Sequence, residues 1–225
     1  MKILMKFPVR DRIEKFYDTL SKYDELMSGE NEHRYLVSLD EDDKKFNNAE
    51  VIGFLEGRKD ISYFIGARSN KITAVNRDMN KDIGFGWDIV LLISDDMIPL
   101  VNGYDKRISD DMVKYFPDLD GALWYYDGHN KITATQTIMG RKYYERFGYL
   151  YHPIYKTLEC DREYTIVGQR LEKLKFFEDV IIEHQHIHEV LGERDKLDLE
   201  NGNIEWCRAD ARAFKLRESM GFDLS

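Results

Sequence analysis

Apolar positions along the chain change period from segment to segment, and these changes predict an alternation of strands and helices. Residues 3–7 form a short apolar run that reads as a strand, and residues 8–11 read as a loop. Ile13, Phe16, Tyr17, Leu20 and Tyr23 then recur at helical intervals, with Asp11 and Glu14 at the spacing of a capping box. A second strand is predicted over 35–39, ending in the acidic cluster Asp40, Glu41, Asp42 and Asp43. A helix over 44–55, an extended stretch over 61–65 and a helix over 72–80 precede a third apolar strand at 88–93. Beyond it the pattern predicts extended stretches at 122–126 and 132–138, helices at 141–147 and 162–173, a strand at 176–183 and a polar helix at 208–220. The opening βαβ succession favours a parallel sheet with right-handed crossovers. With no linker, repeat or low-complexity segment, the expectation is a single mixed α/β domain, its mainly parallel sheet flanked by helices.

Composition narrows the picture only modestly. In 225 residues, 43% hydrophobic and 13% aromatic content suffices for a core. The formal charge of -9 argues against broad attachment to nucleic acid or an anionic membrane, since phosphate contacts need clustered Lys and Arg. Cys160 and Cys207 are the two cysteines, so no disulfide framework is indicated and a reducing compartment is expected. The apolar stretch in MKILMKFPVRD is too short for a signal peptide, and no run approaches the roughly 18 residues of a membrane span. A cytoplasmic protein without a membrane span is therefore expected.

The most informative segment is WDIVLLISDDMIP at 87–99. Val90, Leu91, Leu92 and Ile93 read as a strand buried on both faces, the kind found in the middle of a parallel sheet. In open α/β sheets ligands bind beyond the carboxyl ends of the strands, which is where Ser94, Asp95 and Asp96 project. Two carboxylates there suit magnesium, manganese or calcium; as turn residues before Ile98 and Pro99 they are explained equally well. The sequence HQHIH places His184, His186 and His188 on alternate positions after an apolar strand, so two imidazoles can share a direction toward a metal, or the triplet forms a solvated edge. Glu159, Asp161 and Glu163 lie at a helix start, where acidic groups usually serve the helix dipole. Trp124, Tyr125, Tyr126, Asp127, Gly128 and His129 combine aromatic faces with polar groups, suited to stacking on a sugar or base, or else to a core strand entering a turn.

In this order the segments resemble a glycosyltransferase of the GT-A fold, closest to the family 2 style, over roughly residues 1–190, with 191–225 a helical extension of the same domain. KFPVRDRIEKF resembles the opening strand and loop, which assigns Pro8 and Arg10 to the nucleotide. LVSLDEDD resembles the second strand, with Asp40 at the carboxylate that contacts the base. GARSNKITAVNRDM resembles the stretch beside the nucleotide, matching Lys71 and Asn76, with Arg68 a second cation for the phosphates. The DXD motif falls on Ser94, Asp95 and Asp96, so serine replaces its first carboxylate while Asp96 keeps the metal-ligand position. LECDREYTIVGQRL resembles the acceptor-side segment, matching Asp161 and Arg170, and the histidine cluster stands where many members place a metal-binding histidine.

The resemblance implies transfer of a sugar from a nucleoside-diphosphate sugar, first a UDP-sugar, to a saccharide or other hydroxyl acceptor. Mn2+ or Mg2+ is the implied cofactor, held by Asp96 with His184 or His186. An inverting reaction assigns Asp161 as the base, Glu163 being the alternative, and Trp124 with Asp127 to the acceptor. Modified bases in DNA are a further acceptor class, which the acidic charge disfavours. Two competing classes are a nucleotidyltransferase, whose glycine-rich signature FPVRDRIEKF lacks, and a non-catalytic nucleotide-binding module, which Ser94 would suit. A histidine-based metallohydrolase is a weaker alternative, because HXHXH lacks distant partners.

Overall fold

A computed structural model describes residues 1–185 and 196–224. In chain order its elements are β1 (Lys2–Val9), α1 (Ile13–Glu25), β2 (Glu32–Asp40), α2 (Ala49–Gly57), β3 (Ile61–Gly66), α3 (Lys71–Asn76) and β4 (Ile89–Leu92). There follow β5 (Met97–Pro99), α4 (Tyr104–Tyr115), β6 (Ala122–Tyr125), β7 (Ile138–Gly140), α5 (Arg141–Phe147) and α6 (Cys160–Arg170). The last are β8 (Leu174–Phe177), β9 (Ile182–His184), α7 (Lys196–Asn201) and α8 (Ile204–Ser219).

Seven strands form one mixed sheet in the order β3-β2-β1-β4-β7-β6-β8, and β5 pairs with β9 in a separate antiparallel ribbon. The first four strands run parallel, β7 is antiparallel to β4 and β6, and β8 is parallel to β6. Alternation along β1 sends Ile3, Met5, Phe7 and Val9 into one core layer with Phe16 and Leu20 of α1, Val51 of α2 and Ile108 of α4. Leu4 faces the other layer, with Ile72 of α3, Tyr143 of α5, Tyr164 of α6 and Phe214 of α8. Both faces being covered, all four residues of the central β4 are buried, as the apolar run predicts. Among the described residues no helix is long and apolar enough to cross a membrane.

Several local expectations are corrected. Asp11 does not cap α1: it adopts φ 61°, and its N–H donates to Asp43 Oδ2 at 2.7 Å. Helix α2 starts at Ala49 because Asn48 takes the cap, accepting from Glu50 N and Val51 N at 3.1 Å each, so 44–48 are turns. The helix predicted over 72–80 ends at Asn76. Only Ile138 of the stretch 132–138 enters a strand; Ala134 N instead donates to Thr165 Oγ1 at 2.8 Å. The strand predicted over 176–183 divides between the main sheet and the ribbon. Helix α4, absent from the sequence reading, buries Tyr104, Ile108 and Met112 at i, i+4 and i+8.

The final helix is fastened by charge. Arg217 Nε donates to Glu163 Oε1 and Oε2 at 2.9 and 2.8 Å, with both side chains almost fully buried. Tyr155 OH donates to the same carboxylate at 2.5 Å. Removing one member of a buried pair leaves the other uncompensated, so Arg217→Met is expected to lower stability by about 3–5 kcal/mol in urea unfolding.

Lys6 of β1 is fully buried, its Nζ donating to Ser38 Oγ and to Arg77 O at 2.7 Å. Burial pulls its pKa down to about 7, opposed by the nearby Asp78 charge and assisted by Arg77. Between that value and the ordinary 10.5 the unfolded chain binds the extra proton, so the Lys6 contribution to stability improves as pH rises through this window. The stability difference between wild type and Lys6→Met, followed by urea unfolding across that range, should rise with pH; a flat difference contradicts it.

Candidate active site

Strand β4 ends against a cleft of about 710 Å³ whose walls include Pro8, Arg10, Asp40, Lys71, Ser94, Asp95, Asp96, Asp161 and His184. Its position is that expected for an open α/β sheet, beyond the carboxyl ends of β1, β2 and β4.

At the β1–β2 end, Asp40 is held between two arginines. Arg10 Nη1 donates to Oδ2 and Arg77 Nη1 to Oδ1, each at 2.9 Å. Arg77 also spans the carbonyls of Leu39 and Ala67 at 2.8 Å. The carboxylate is buried, with both oxygens directed by fixed donors.

At the end of β4 the ribbon register Met97↔His184 brings the histidine beside the acidic pair, secured by Gln185 N donating to Asp96 O at 2.7 Å. His184 Nε2 lies 3.4 Å from Asp96 Oδ2, and Ser94 Oγ donates to Asp96 Oδ1. Burial opposes ionisation of Asp96, but the hydrogen bonds and charge of His184 and the Ser94 hydroxyl outweigh it and hold the carboxyl well below the usual range. Burial and the adjacent Asp96 push Asp95 up, while Arg12 Nη1, 3.3 Å from its Oδ1, pulls it down. An ionised oxygen and an imidazole nitrogen 3.4 Å apart are close enough for one divalent cation to touch both. Among the described residues a three-group cluster also occurs at Asp24, His33 and Asp60, but Arg58 donates to both of its carboxylates, at 2.6 Å to Asp24 Oδ2.

Asp161, in the first turn of α6, is partly exposed and accepts from Thr133 Oγ1 at 3.4 Å. The other predicted site residues that are described lie off these walls. Arg68 is exposed and pairs with Asp42 and Glu200. Asn76 spends its side chain on Leu150 N at 2.8 Å, Tyr151 N at 3.2 Å and Tyr151 O at 2.7 Å, bracing a loop. Trp124 is buried with its ring centroid 4.5 Å from that of Phe176, so it is core rather than acceptor surface. Glu163 is consumed by Arg217 and Tyr155. Asp127 is buried, accepting from His129 N, Asn130 N and Thr135 Oγ1 at 2.7–2.8 Å. Its Oδ2 lies 3.9 Å from His184 Nδ1, behind the ring, and its backbone O accepts from His184 N at 3.0 Å. Its carboxylate thus holds its own turn and Thr135, and its backbone carbonyl positions the His184 main chain. His186 lies outside the described residues.

The sequence reading missed the contribution of the chain's end. Leu197, Asp198, Glu200, Asn201, Trp206 and Cys207 form one wall, and Arg12 Nη2 meets Asp198 Oδ1 at 2.5 Å. Acidic residues at 198 and 200 and an isolated tryptophan in a polar tail were the visible signals.

No protein-family model matches the chain, and a search of curated proteins found no match. Among solved structures, the mannosyltransferase PcManGT from Pyrobaculum calidifontis in complex with GDP-Man and Mn2+ superposes with a TM-score of 0.60 at 13% identity, over 96% of this chain and 75% of that one. S. aureus TarS 1-349 in complex with UDP superposes at 0.59 and 11% identity, over 96% and 71%. A 4-diphosphocytidyl-2C-methyl-D-erythritolsynthase from Anaerococcus prevotii gives 0.51 at 12% identity, over 88% and 95%. The fold is therefore the GT-A type, with a nucleotidyltransferase-like neighbour. In a second TarS 1-349 structure the match spans 60% of the neighbour's length.

Mn2+ is expected to raise the melting temperature, with chelator reversing the shift, since a ligand of the folded state stabilises by about 2.7 kcal/mol at a hundredfold excess over Kd. Asp96→Ala should abolish that rise and His184→Ala diminish it, each retaining its metal-free melt within a few degrees.

Proposed function

We propose that the protein is a metal-dependent glycosyltransferase, moving a sugar from a nucleoside-diphosphate sugar, a UDP-sugar first, to an acceptor hydroxyl with inversion. The observation that carries this reading is the convergence of Asp40, Ser94–Asp96, Asp161 and His184 on one cleft of about 710 Å³. The GDP-Man and Mn2+ complex of the mannosyltransferase and the UDP complex of TarS, which share the fold, support the substrate class.

The roles follow from charge. Pro8, Arg10 and Asp40 border the nucleoside, with Asp40 presented by its two arginines. Lys71 is the cation of the cleft wall that serves the diphosphate, Arg12 being paired with Asp95 and Asp198. Asp96 and His184 hold the divalent ion, with Asp95 beside them; when bound, that ion neutralises charge gathering on the leaving diphosphate. Asp161 accepts the acceptor's proton as the oxygen bonds to the anomeric carbon. The bond from that carbon to the β-phosphate oxygen breaks, and its electron pair leaves on the nucleoside diphosphate. Asp161 serves this role better than Glu163, whose carboxylate is locked in the Arg217 pair.

The synthase neighbour favours a nucleotidyltransferase as the second reading. Arg10, Asp11 and Arg12 supply no glycine between β1 and α1, which weighs against a phosphate-wrapping loop there.

Thermal melts with UDP, GDP, TDP and CMP, each with Mn2+ and with chelator, test the donor: a metal-dependent rise with one diphosphate is expected, and no response to any nucleotide overturns the proposal. Asp161→Asn should lower kcat by about 10²–10⁴-fold while leaving donor affinity unchanged. Proton NMR of the first-formed product should report the anomeric configuration opposite to the donor's; retention would remove Asp161 as base.

A further inference from the structure

Four aromatic side chains line the cleft among the described residues: Phe7, Phe16, Tyr151 and Trp206. The first three are buried at 4% exposure or less and belong to the core. Trp206 is half-buried, so it alone of the four offers substantial ring surface to a ligand. It is also the chain's one tryptophan outside the core, Trp87 and Trp124 being buried.

The backbone that carries the indole is held in place. Asn203 caps α8, its side chain accepting from Glu205 N at 2.9 Å and Trp206 N at 3.2 Å. One turn further on, Asp210 takes the N–H groups of Lys156, Thr157 and Leu158 at 3.0, 2.8 and 2.9 Å. The start of α8 is thereby tied to the segment that leads into Asp161, and Lys156 Nζ lies 5.8 Å from the Trp206 ring centroid. Lys156 O accepts in turn from Ile72 N at 3.3 Å, at the beginning of α3. Arg77, which holds Asp40, follows the other end of that helix, about 8 Å further along its axis. Trp206 thus stands on the helix that is fastened to the segment leading into Asp161, while α7 before it reaches Arg68 and Asp42 through Glu200.

The charge of the walls narrows the ligand. Six carboxylates line the cleft against Arg10, Arg12 and Lys71. A divalent ion and a diphosphate largely offset one another, so the remaining surface is acidic and repels a second anion. An aromatic face beside carboxylate and amide groups matches a pyranose, whose C–H face stacks while its hydroxyls donate to oxygens.

We propose that Trp206 is the stacking platform of an acceptor subsite for neutral saccharides, excluding nucleic acid and phosphorylated acceptors. The proposal rests on the glycosyltransferase reading and narrows it.

The test uses the full chain with saturating Mn2+ and the diphosphate selected by the melts, titrated with methyl α-D-mannopyranoside, methyl β-D-glucopyranoside, methyl β-D-galactopyranoside and N-acetylglucosamine. At least one should perturb tryptophan emission and bind by calorimetry. Trp206→Ala should weaken that binding by roughly three- to tenfold, the size of one aromatic contact, while Trp206→Phe retains most of it. Diphosphate affinity should be the same in all three proteins, which also verifies that the variants are folded. The proposal is overturned if no sugar binds, if the affinity is indifferent to Trp206, or if a DNA oligonucleotide or glycerol 3-phosphate perturbs Trp206 where the sugars do not. A retained diphosphate response alongside any of these leaves glycosyl transfer standing, whereas loss of the diphosphate response removes both.

Discussion

The antiparallel pairing of Met97 with His184 is the constraint on which the cation pair depends. Neither partner belongs to the seven-stranded sheet, yet the ribbon they form sets an imidazole 3.4 Å from Asp96. A slip of one residue would turn His184 to the opposite face and leave Asp96 without it. The ribbon is short, three residues a side, and is reinforced by His184 N on Asp127 O and Gln185 N on Asp96 O. Asp127 lies behind the ring, its Oδ2 3.9 Å from His184 Nδ1, longer than a hydrogen bond.

Around that pair several carboxylates of the cleft are matched by cations. Asp40 has Arg10 and Arg77, Asp95 has Arg12, and Glu163, outside the cleft, has Arg217. Asp96 is ionised by a different route, through Ser94 and His184, which leaves its oxygens less committed than a bidentate arginine would. The serine in place of a first carboxylate thus has a visible use, donating to the acid two residues on.

Much of this was legible in the sequence because burial writes strong patterns. Four consecutive apolar residues before Ser94 specify a strand covered on both faces, and its carboxyl end specifies a site. Asp96 was placed on that basis, Asp40, Asp161 and His184 by the resemblance to GT-A glycosyltransferases, and the cleft gathers them. Trp124 and Glu163 were misread because sequence gives residue chemistry but not which side of a strand or helix meets solvent. Trp124 lies in the four-residue β6, buried throughout, and Glu163 is turned inward to Arg217 of a helix far away in sequence. Helix α4 was overlooked although Tyr104, Ile108 and Met112 carried its period, because the charged residues between them dilute the apolar signal. The wall made by α7 and α8 depends on long-range contacts such as Arg12 with Asp198, for which no local pattern exists.

The order of strands in the sheet has a consequence for assembly. The four parallel strands β1 to β4 come from the first ninety or so residues and form a contiguous half-sheet that closes only short crossovers. The acidic pair follows directly on that half, but its histidine arrives on β9, across a far longer loop whose closure is slower. During synthesis the carboxylates at 95 and 96 are therefore exposed for a time without their imidazole partner. Assembly of the Asp96–His184 pair therefore waits for β9, long after the half-sheet's last strand has been made.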